Sequence, residues 1–432
     1  FIVWISFLNM FVRAGGQRGA NVSAKGRPML FKLFLPFAFG YFLSFLYRVV
    51  NVAIAPELVR EFQLDANQMG FISSAYFLTF ALCQLPLGLL LDRYESRKVS
   101  AALLLVAALG ALVFSLAESS WGLLVGRGLI GIGVSACLMA AFTAYANLLP
   151  AGRLPLVNGL QLMAGGLGVI SASTPVQWFL TWGDWRLLFQ VLAVATLVAS
   201  VLVYSLVPRY SIQAQSQRLT QQIVELWQLV KSPQFYQIAP LTVATQGVFG
   251  AFVGLWAGYW LRDYLSLSTA EAAQIVLTMA LSMTAGFVAL GWLAGRLHRF
   301  GISAYSVSVV GMLVYMLSQC VIINEWSDWH HFWWGLSGFF GTSGVLMFAH
   351  LSQSVPKNLV GRINTSLNLC VFVVAFACQW GLGALINLWP ADAAGVYPQA
   401  AYATAWGVVL ALQFVALAWV AYNALLRRSR KA

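Results

Sequence analysis

Gly88-Leu-Leu-Leu-Asp92-Arg93-Tyr-Glu-Ser96-Arg97-Lys98 separates two apolar blocks, residues 67–91 and 99–117. Either block can cross a hydrocarbon layer, which takes about 20 apolar residues in helical form. The charges between them cannot follow into lipid, so the stretch reads as a turn at a membrane surface. Its basic residues Arg93, Arg97 and Lys98 mark that surface as the cytoplasmic one.

Outward from this turn the pattern continues. Further apolar blocks lie at 30–55, 121–148, 157–180 and 186–207, then a polar stretch at 208–235 that includes the run Gln213 to Gln222. Six more follow at 236–262, 270–295, 302–324, 331–354, 363–389 and 399–426. The 432 residues are 60% hydrophobic and only 9% charged, with mean hydropathy +0.78. Soluble proteins carry about 25% charged residues, so a soluble enzyme is excluded, and the apolar content excludes disorder. At roughly 20 residues per span plus connections, the length accommodates about twelve spans. Pro36, Pro86, Pro175 and Pro240 fall inside blocks, where neighbouring helices can satisfy freed backbone groups.

The formal charge of +12 invites a nucleic-acid reading, but its distribution argues otherwise. With the N-terminus inside, most of the 25 Lys and Arg fall on the cytoplasmic side, and only Arg60, Arg186 and Arg262 face out. Of the 13 acids only Asp92, Glu95 and Glu225 fall inside. The basic excess is therefore a topology signal that puts both termini in the cytoplasm, and no nucleic-acid partner is expected. Phe1 to Val12 is apolar but too short to span, so residues 1–29 read as a cytoplasmic tail or an upstream extension. Residues 427–432 form a basic cytoplasmic tail.

Cys83, Cys137, Cys320, Cys370 and Cys378 all lie within spans, so structural disulfides are not expected. Glu325, Asp328, His330 and His331 share one outside loop, but beside Trp326, Trp329, Trp333 and Trp334 they read as a solvated loop at an aromatic belt. No nucleophile–base pair or metal constellation suggests catalysis, and no cofactor is expected.

The two halves of the chain resemble each other. Gly88-Leu-Leu-Leu-Asp92-Arg93 aligns with Gly291-Trp-Leu-Ala-Gly295-Arg296, and at the same offset Asp65-Ala-Asn-Gln68 meets Ser268-Thr-Ala-Glu271. Further on, Pro150 aligns with Pro356 and Asn158 with Asn364. Parallel six-helix repeats joined by a polar linker are a transporter architecture, with substrate held at mid-membrane between the halves.

Three motifs carry a family resemblance. Gly88 to Lys98 is similar to the loop 2–3 signature of the major facilitator superfamily, with Ser96 in place of the second glycine. Arg127-Gly-Leu-Ile-Gly131-Ile-Gly133 resembles its fourth-helix motif, and Gly183-Asp184-Trp185-Arg186-Leu-Leu-Phe189 its G-W-R-x-x-F entry to helix 6, with Asp184 inserted. The resemblance implies an all-α membrane protein: twelve transmembrane helices in two six-helix bundles related by pseudo-two-fold symmetry. Residues 30–207 and 236–426 form the bundles, with 208–235 as the linker. It also implies a gating role for Gly88, Asp92, Arg93, Arg97, Lys98 and Arg362. Asp92 would sit against the start of helix 11 near Gly361, Arg362 and Asn364, stabilised by that helix end when the cytoplasmic side closes.

Deep within the spans the charged residues are Arg48 and Arg127, each about 13 Å from the outer end of its helix at about 1.5 Å per residue. Such residues are functional by default, and Arg cannot shed its charge. With no deep carboxylate available, an anionic substrate would supply the partner; for each arginine the alternative is bonding to backbone carbonyls and amides. Tyr47-Arg48-Val-Val-Asn51 with Pro56 resembles the first helix of the anion:cation symporter family, and Gly70 to Tyr76 with Gln84-Leu-Pro86 its second. That resemblance implies organic-anion binding by Arg48. The family's Asp is Tyr47 here, and the acid of its fourth helix falls near Gly133 or Val134, which puts carboxylate proton coupling in doubt. His350 is the coupling candidate, as a deep residue that titrates near neutrality. Asn51, one turn beyond Arg48, is expected on the same face, and Gln161, Gln246, Trp256, Tyr259 and Trp260 are candidate cavity liners.

The expectation is a monomeric transporter of a small organic anion in the inner membrane, working by alternating access, with the lipid bilayer as its other partner. Rival readings are an efflux transporter of drugs or metabolites, a nitrate-type porter, and a non-transporting receptor on the same fold.

Overall fold

A computed structural model describes residues 26–150, 153–210, 224, 227–228, 230–355, 360–392 and 395–429. Residues 1–25 of the expected N-terminal tail, most of the linker with its glutamine run, and residues 430–432 lie outside the described residues. The first half contains α1 (Gly26–Val49), α2 (Asn51–Phe62), α3 (Ala66–Arg93), α4 (Ser96–Ser115), α5 (Ser120–Val134), α6 (Met139–Leu148), α7 (Leu154–Ser171), α8 (Thr174–Phe179) and α9 (Trp185–Leu206). The second contains α10 (Pro233–Tyr236), α11 (Ala239–Ala251), α12 (Ala257–Tyr259), α13 (Thr269–His298), α14 (Ala304–Ile323), α15 (His330–Gly341), α16 (Val345–Gln353), α17 (Val360–Ile386) and α18 (Gln399–Ser429). Among the described residues, 8 helical stretches are long and apolar enough to cross a membrane, or 10 if each of two bent pairs is one span. The other two expected spans, α7–α8 and α15–α16, are interrupted near Ser173 and Ser343.

Capping explains where the helices start. Asp65 accepts from Gln68 N (2.7 Å) while Gln68 Oε1 accepts from Asp65 N (3.1 Å). At the matching place in the other half, Ser268 Oγ accepts from Glu271 N (3.3 Å) and Glu271 accepts from Ser268 N (2.9 Å). The repeated tetrapeptides are thus the same device, a reciprocal capping box at the head of α3 and of α13. Asp184, the inserted residue, caps α9 by accepting from Leu187 N at 2.7 Å.

The bends matter for the site. α1 and α2 meet at 45° across Val50, and α3 bends by 49° next to Pro86, whose missing N–H and ring break the helical ladder. The seventh membrane stretch runs from α11 to Tyr264 and contains two π turns, Phe252–Trp256 and Trp260–Tyr264. The fourth-helix glycines have a packing reason. A side chain at Gly131 would run into the Tyr76 carbonyl and Thr79 of α3, and one at Gly133 into Ala107 of α4.

The halves are fastened together at the end that carries Asp65. Ala66 N donates to Tyr397 Oη (3.1 Å), Trp380 Nε1 to Asn67 Oδ1 (2.7 Å), and Arg262 Nη1 to the Val52 carbonyl (3.1 Å). α3 and α17 touch without side chains between them: a Cβ on Gly70 would lie 2.8 Å from the Gln379 carbonyl, and one on Gly383 would meet the Ala66 carbonyl. At the opposite end Asp92 and Gly88 are exposed.

Candidate functional site

The bend at Val50 and the bend at Pro86 bring α1 and α3 beside α17 around a cavity of about 80 Å³. Its polar lining comes from Tyr41, Ser44 and Arg48 of α1, Gln84 of α3, Ser135 at the end of α5, and Asn368 of α17. Arg48 is half-buried. Among the described residues its side chain makes no hydrogen bond and no ion pair, and its Nε is a buried donor without a partner. What surrounds the guanidinium is aromatic. Its carbon lies 4.3 Å from the Phe45 ring centroid, 5.0 Å from Phe372, and 5.7 Å from both Tyr76 and Phe80. Phe80 and Phe372 stack at 4.2 Å across the two halves. The rings hold a cation in place without neutralising it. The Gln84 side-chain nitrogen, also buried, has no partner either. The cavity therefore presents unspent donors and no negative charge, an arrangement that fits a small anion with hydroxyl groups.

The structure separates Arg48 from Arg127. Arg127 is 1% exposed and sits inside the first bundle, where its Nη1 donates to the Tyr47 carbonyl at 2.7 Å beside the helix break. Its guanidinium faces Phe114 (5.2 Å) and Phe189 (5.7 Å), away from the cavity. That bond braces the bend, while Nε and Nη2 of Arg127 are buried without a partner among the described residues.

Asn51 is not on the face of Arg48. The chain breaks at Val50, which turns Asn51 toward Ser73 Oγ at 2.6 Å. Gln161 accepts from Tyr145 Oη (2.8 Å) and donates to the Phe37 carbonyl (3.0 Å), so it stitches helices rather than lining the cavity. Gln246 donates to the Gly341 carbonyl at 2.6 Å within the second half. Trp256 donates to the Gln379 carbonyl at 2.9 Å and packs on Tyr259 at 5.3 Å, in the closed region between the halves. His350 lies in the last turn of α16 against Tyr305 in the first turn of α14, with ring centroids 5.3 Å apart. It is near a helix end, not deep in the membrane as expected.

The gating residues divide. Arg362 lies within electrostatic reach of Asp92. Arg93 is exposed. Arg97 is buried and faces its own bundle, donating to Glu95 (2.6 Å) and to the Tyr204 carbonyl (3.1 Å), while Lys98 pairs with Glu95 at 3.3 Å. Arg97 and Lys98 thus brace the turn instead of reaching the other half. The sequence reading missed Tyr41, Ser44, Gln84, Ser135 and Asn368 as liners. Their only signal was one polar residue inside an apolar block, a signal shared by many helix-stitching residues.

The sequence model of the Major Facilitator Superfamily matches residues 37–379. The hexuronate transporter of Escherichia coli (strain K12) is 24% identical over 281 residues, 61% of this chain and 65% of that protein. The galacturonate transporter of Dickeya chrysanthemi is 25% identical over 236 residues, 50% of this chain and 68% of that protein. The efflux pump aflT of Aspergillus parasiticus is 32% identical over 128 residues, 30% of this chain but only 24% of that protein. The matched part of the chain thus spans about a quarter of the pump and just under two thirds of the hexuronate transporter. Among solved structures, an inward-facing and occupied bacterial homolog of the human lysosomal transporter Spinster superposes with TM-score 0.72 at 16% identity, covering 92% of this chain and 97% of that one. The nucleoside transporter NupG gives TM-score 0.69 at 13% identity, with 90% and 98% covered. At these identities the likeness is one of fold. The fold, the three motifs and the extent of the family match agree: this multi-pass membrane chain belongs to the Major Facilitator Superfamily.

Proposed function

We propose that the protein carries a small organic anion across the inner membrane by alternating access, as a monomer with both termini in the cytoplasm. The observation that carries this reading is Arg48, a permanent cation facing a cavity with no carboxylate to pair with it among the described residues. An anion completes that site through bidentate hydrogen bonds. The names of the hexuronate and galacturonate transporters support a sugar acid, whose hydroxyls suit Gln84, Ser135 and Asn368.

With this orientation the fastened end is the outer one and the cavity serves the cytoplasmic side. Asp92 and Arg362 then form the inner closure, approaching fully when the outer contacts part. The test is uptake of labelled D-galacturonate into proteoliposomes. Saturable uptake that competing anions block supports the reading. Absence of both binding and uptake across a panel of sugar acids, carboxylates and phosphates would sink it. Efflux of an aromatic metabolite is a second reading, favoured by the four rings around Arg48 and by the aflT match. It predicts that Arg48→Ala leaves transport intact.

A further inference from the structure

The surroundings of Arg48 bear on how transport is driven. From α1 the residues facing it are Tyr41, Ser44 and Phe45; from α3, Tyr76, Phe80 and Gln84. Ser135 and Val134 come from the end of α5, Leu138 and Met139 from the start of α6, and Asn368 and Phe372 from α17. The titratable groups in or against this shell are Tyr41, Tyr76, Cys137 beside Tyr41, and Cys83 beside Ser135. None of these four is a carboxylate or an imidazole. Among the described residues no Asp, Glu or His lines the cavity. The other charge close by is Arg127, on the far side of the α1 backbone through the Tyr47 carbonyl, and it is a second cation. Tyr47 itself turns into the bundle and bonds Thr196 at 2.9 Å.

A proton-coupled carrier needs a group that holds a proton on one leg of the cycle and releases it on the other. Among the described residues this cavity has no carboxylate or imidazole to do so. It has a cation whose charge is cancelled only when an anion is bound. Between its two open states an alternating-access carrier passes through a form closed at both ends, in which the cavity loses contact with bulk water. Loaded, the guanidinium passes that point paired. Empty, it passes with its charge uncompensated, and burying an unpaired charge carries a large desolvation penalty. Phe372 is the one ring of the four contributed by the other half.

We propose that the protein works as an anion exchanger: one organic anion enters as another leaves, and the carrier seldom returns empty. This rests on the anion reading above and adds the mode of coupling. A monovalent anion swapped for a monovalent anion moves no net charge and no proton.

The test uses purified full-length protein in liposomes with labelled D-galacturonate outside. Liposomes preloaded with unlabelled galacturonate are compared with liposomes holding only zwitterionic buffer. Exchange predicts at least tenfold faster uptake into the preloaded set. An imposed proton gradient, or a potassium-diffusion potential, should change that rate less than twofold. Equal uptake by both sets, or accumulation that collapses on adding a protonophore, overturns the proposal while leaving the anion reading in place. Absence of binding and of flux in both sets overturns the two together. Ser135→Asp gives an opposite-direction control, since a carboxylate in the cavity pairs Arg48 in the empty carrier. It should raise uptake into buffer-filled liposomes relative to exchange and make it sensitive to the proton gradient, whereas Ser135→Asn should not. A variant Ser135→Asp that binds galacturonate and keeps the wild-type ratio of exchange to net uptake also counts against the proposal.

Discussion

Replacing Arg48 by alanine separates binding from folding more cleanly than any other change. Among the described residues the side chain gives no hydrogen bond and no ion pair, so folding loses its ring contacts. Each of these is worth about 0.5–1 kcal/mol at a wetted site, and removal of an unpaired cation offsets part of that loss. The variant should reach the membrane and melt within a few degrees of the wild type. Binding should behave differently. Two hydrogen bonds from a guanidinium to a carboxylate contribute about 1.5–3 kcal/mol each. Taking the lower value, because the cavity is open to water, gives about 3 kcal/mol, or more than a hundredfold in Kd. Galacturonate at one hundred times the wild-type Kd stabilises the wild type by about 2.7 kcal/mol, and this thermal shift should vanish in Arg48→Ala. Arg48→Lys keeps the charge but not the planar fork, and should fall between the two. A well-folded Arg48→Ala protein that binds galacturonate within threefold of the wild type would refute the reasoning.

Arg127→Met removes the brace on the Tyr47 carbonyl without touching the cavity, so galacturonate affinity, read by the same thermal shift, should stay within threefold while the melting temperature changes. Gly383→Val places a branched side chain against the Ala66 carbonyl, and should hold the Asp65 end open; spin labels on α3 and α17 at that end should report a longer distance, with transport reduced at least tenfold. Asp92→Asn removes the charge that Arg362 attracts and should favour the conformation open at the Asp92 end, seen as faster thiol labelling of cysteines introduced there; an unchanged rate counts against the role. Glu95 is held below the usual glutamate range by the Arg97 hydrogen bond, then by Lys98. Its stabilisation is therefore complete at pH 7 and declines as the pH falls below the ordinary glutamate value of 4.5. The melting-temperature gap between wild type and Glu95→Gln should be larger at pH 7 than at pH 4, and a gap independent of pH would remove the assignment.

The architecture was legible because it rests on quantities that local sequence carries. Block length and the paired tetrapeptides at Asp65 and Ser268 each have a local cause, and those tetrapeptides proved to be matching capping boxes. Arg48 was legible for a similar reason, since a cation in an apolar block demands an explanation whatever its neighbours. The other liners were not. Gln161 and Gln246 look like cavity residues in sequence, yet each spends its amide on a carbonyl of another helix, and helical period gives a face without naming what it meets. Asn51 failed because the one-turn rule assumes a continuous helix, and nothing at Val49 to Asn51 announces the break. Arg127 looked equivalent to Arg48 in depth, but depth does not tell which side of a bundle a guanidinium faces.

The paired π turns between Phe252 and Tyr264 have a mechanical consequence. A π turn holds an additional residue compared with an α turn, so the rod carries spare length. Relaxing one such turn to α geometry would swivel everything beyond it by about 100° about the rod axis. Trp256, pinned to Gln379, lies before the second turn, whereas Arg262, whose grip on Val52 helps fasten the two halves, lies within it. The rod can therefore behave as a click-stop, unlatching one tooth while the other stays seated.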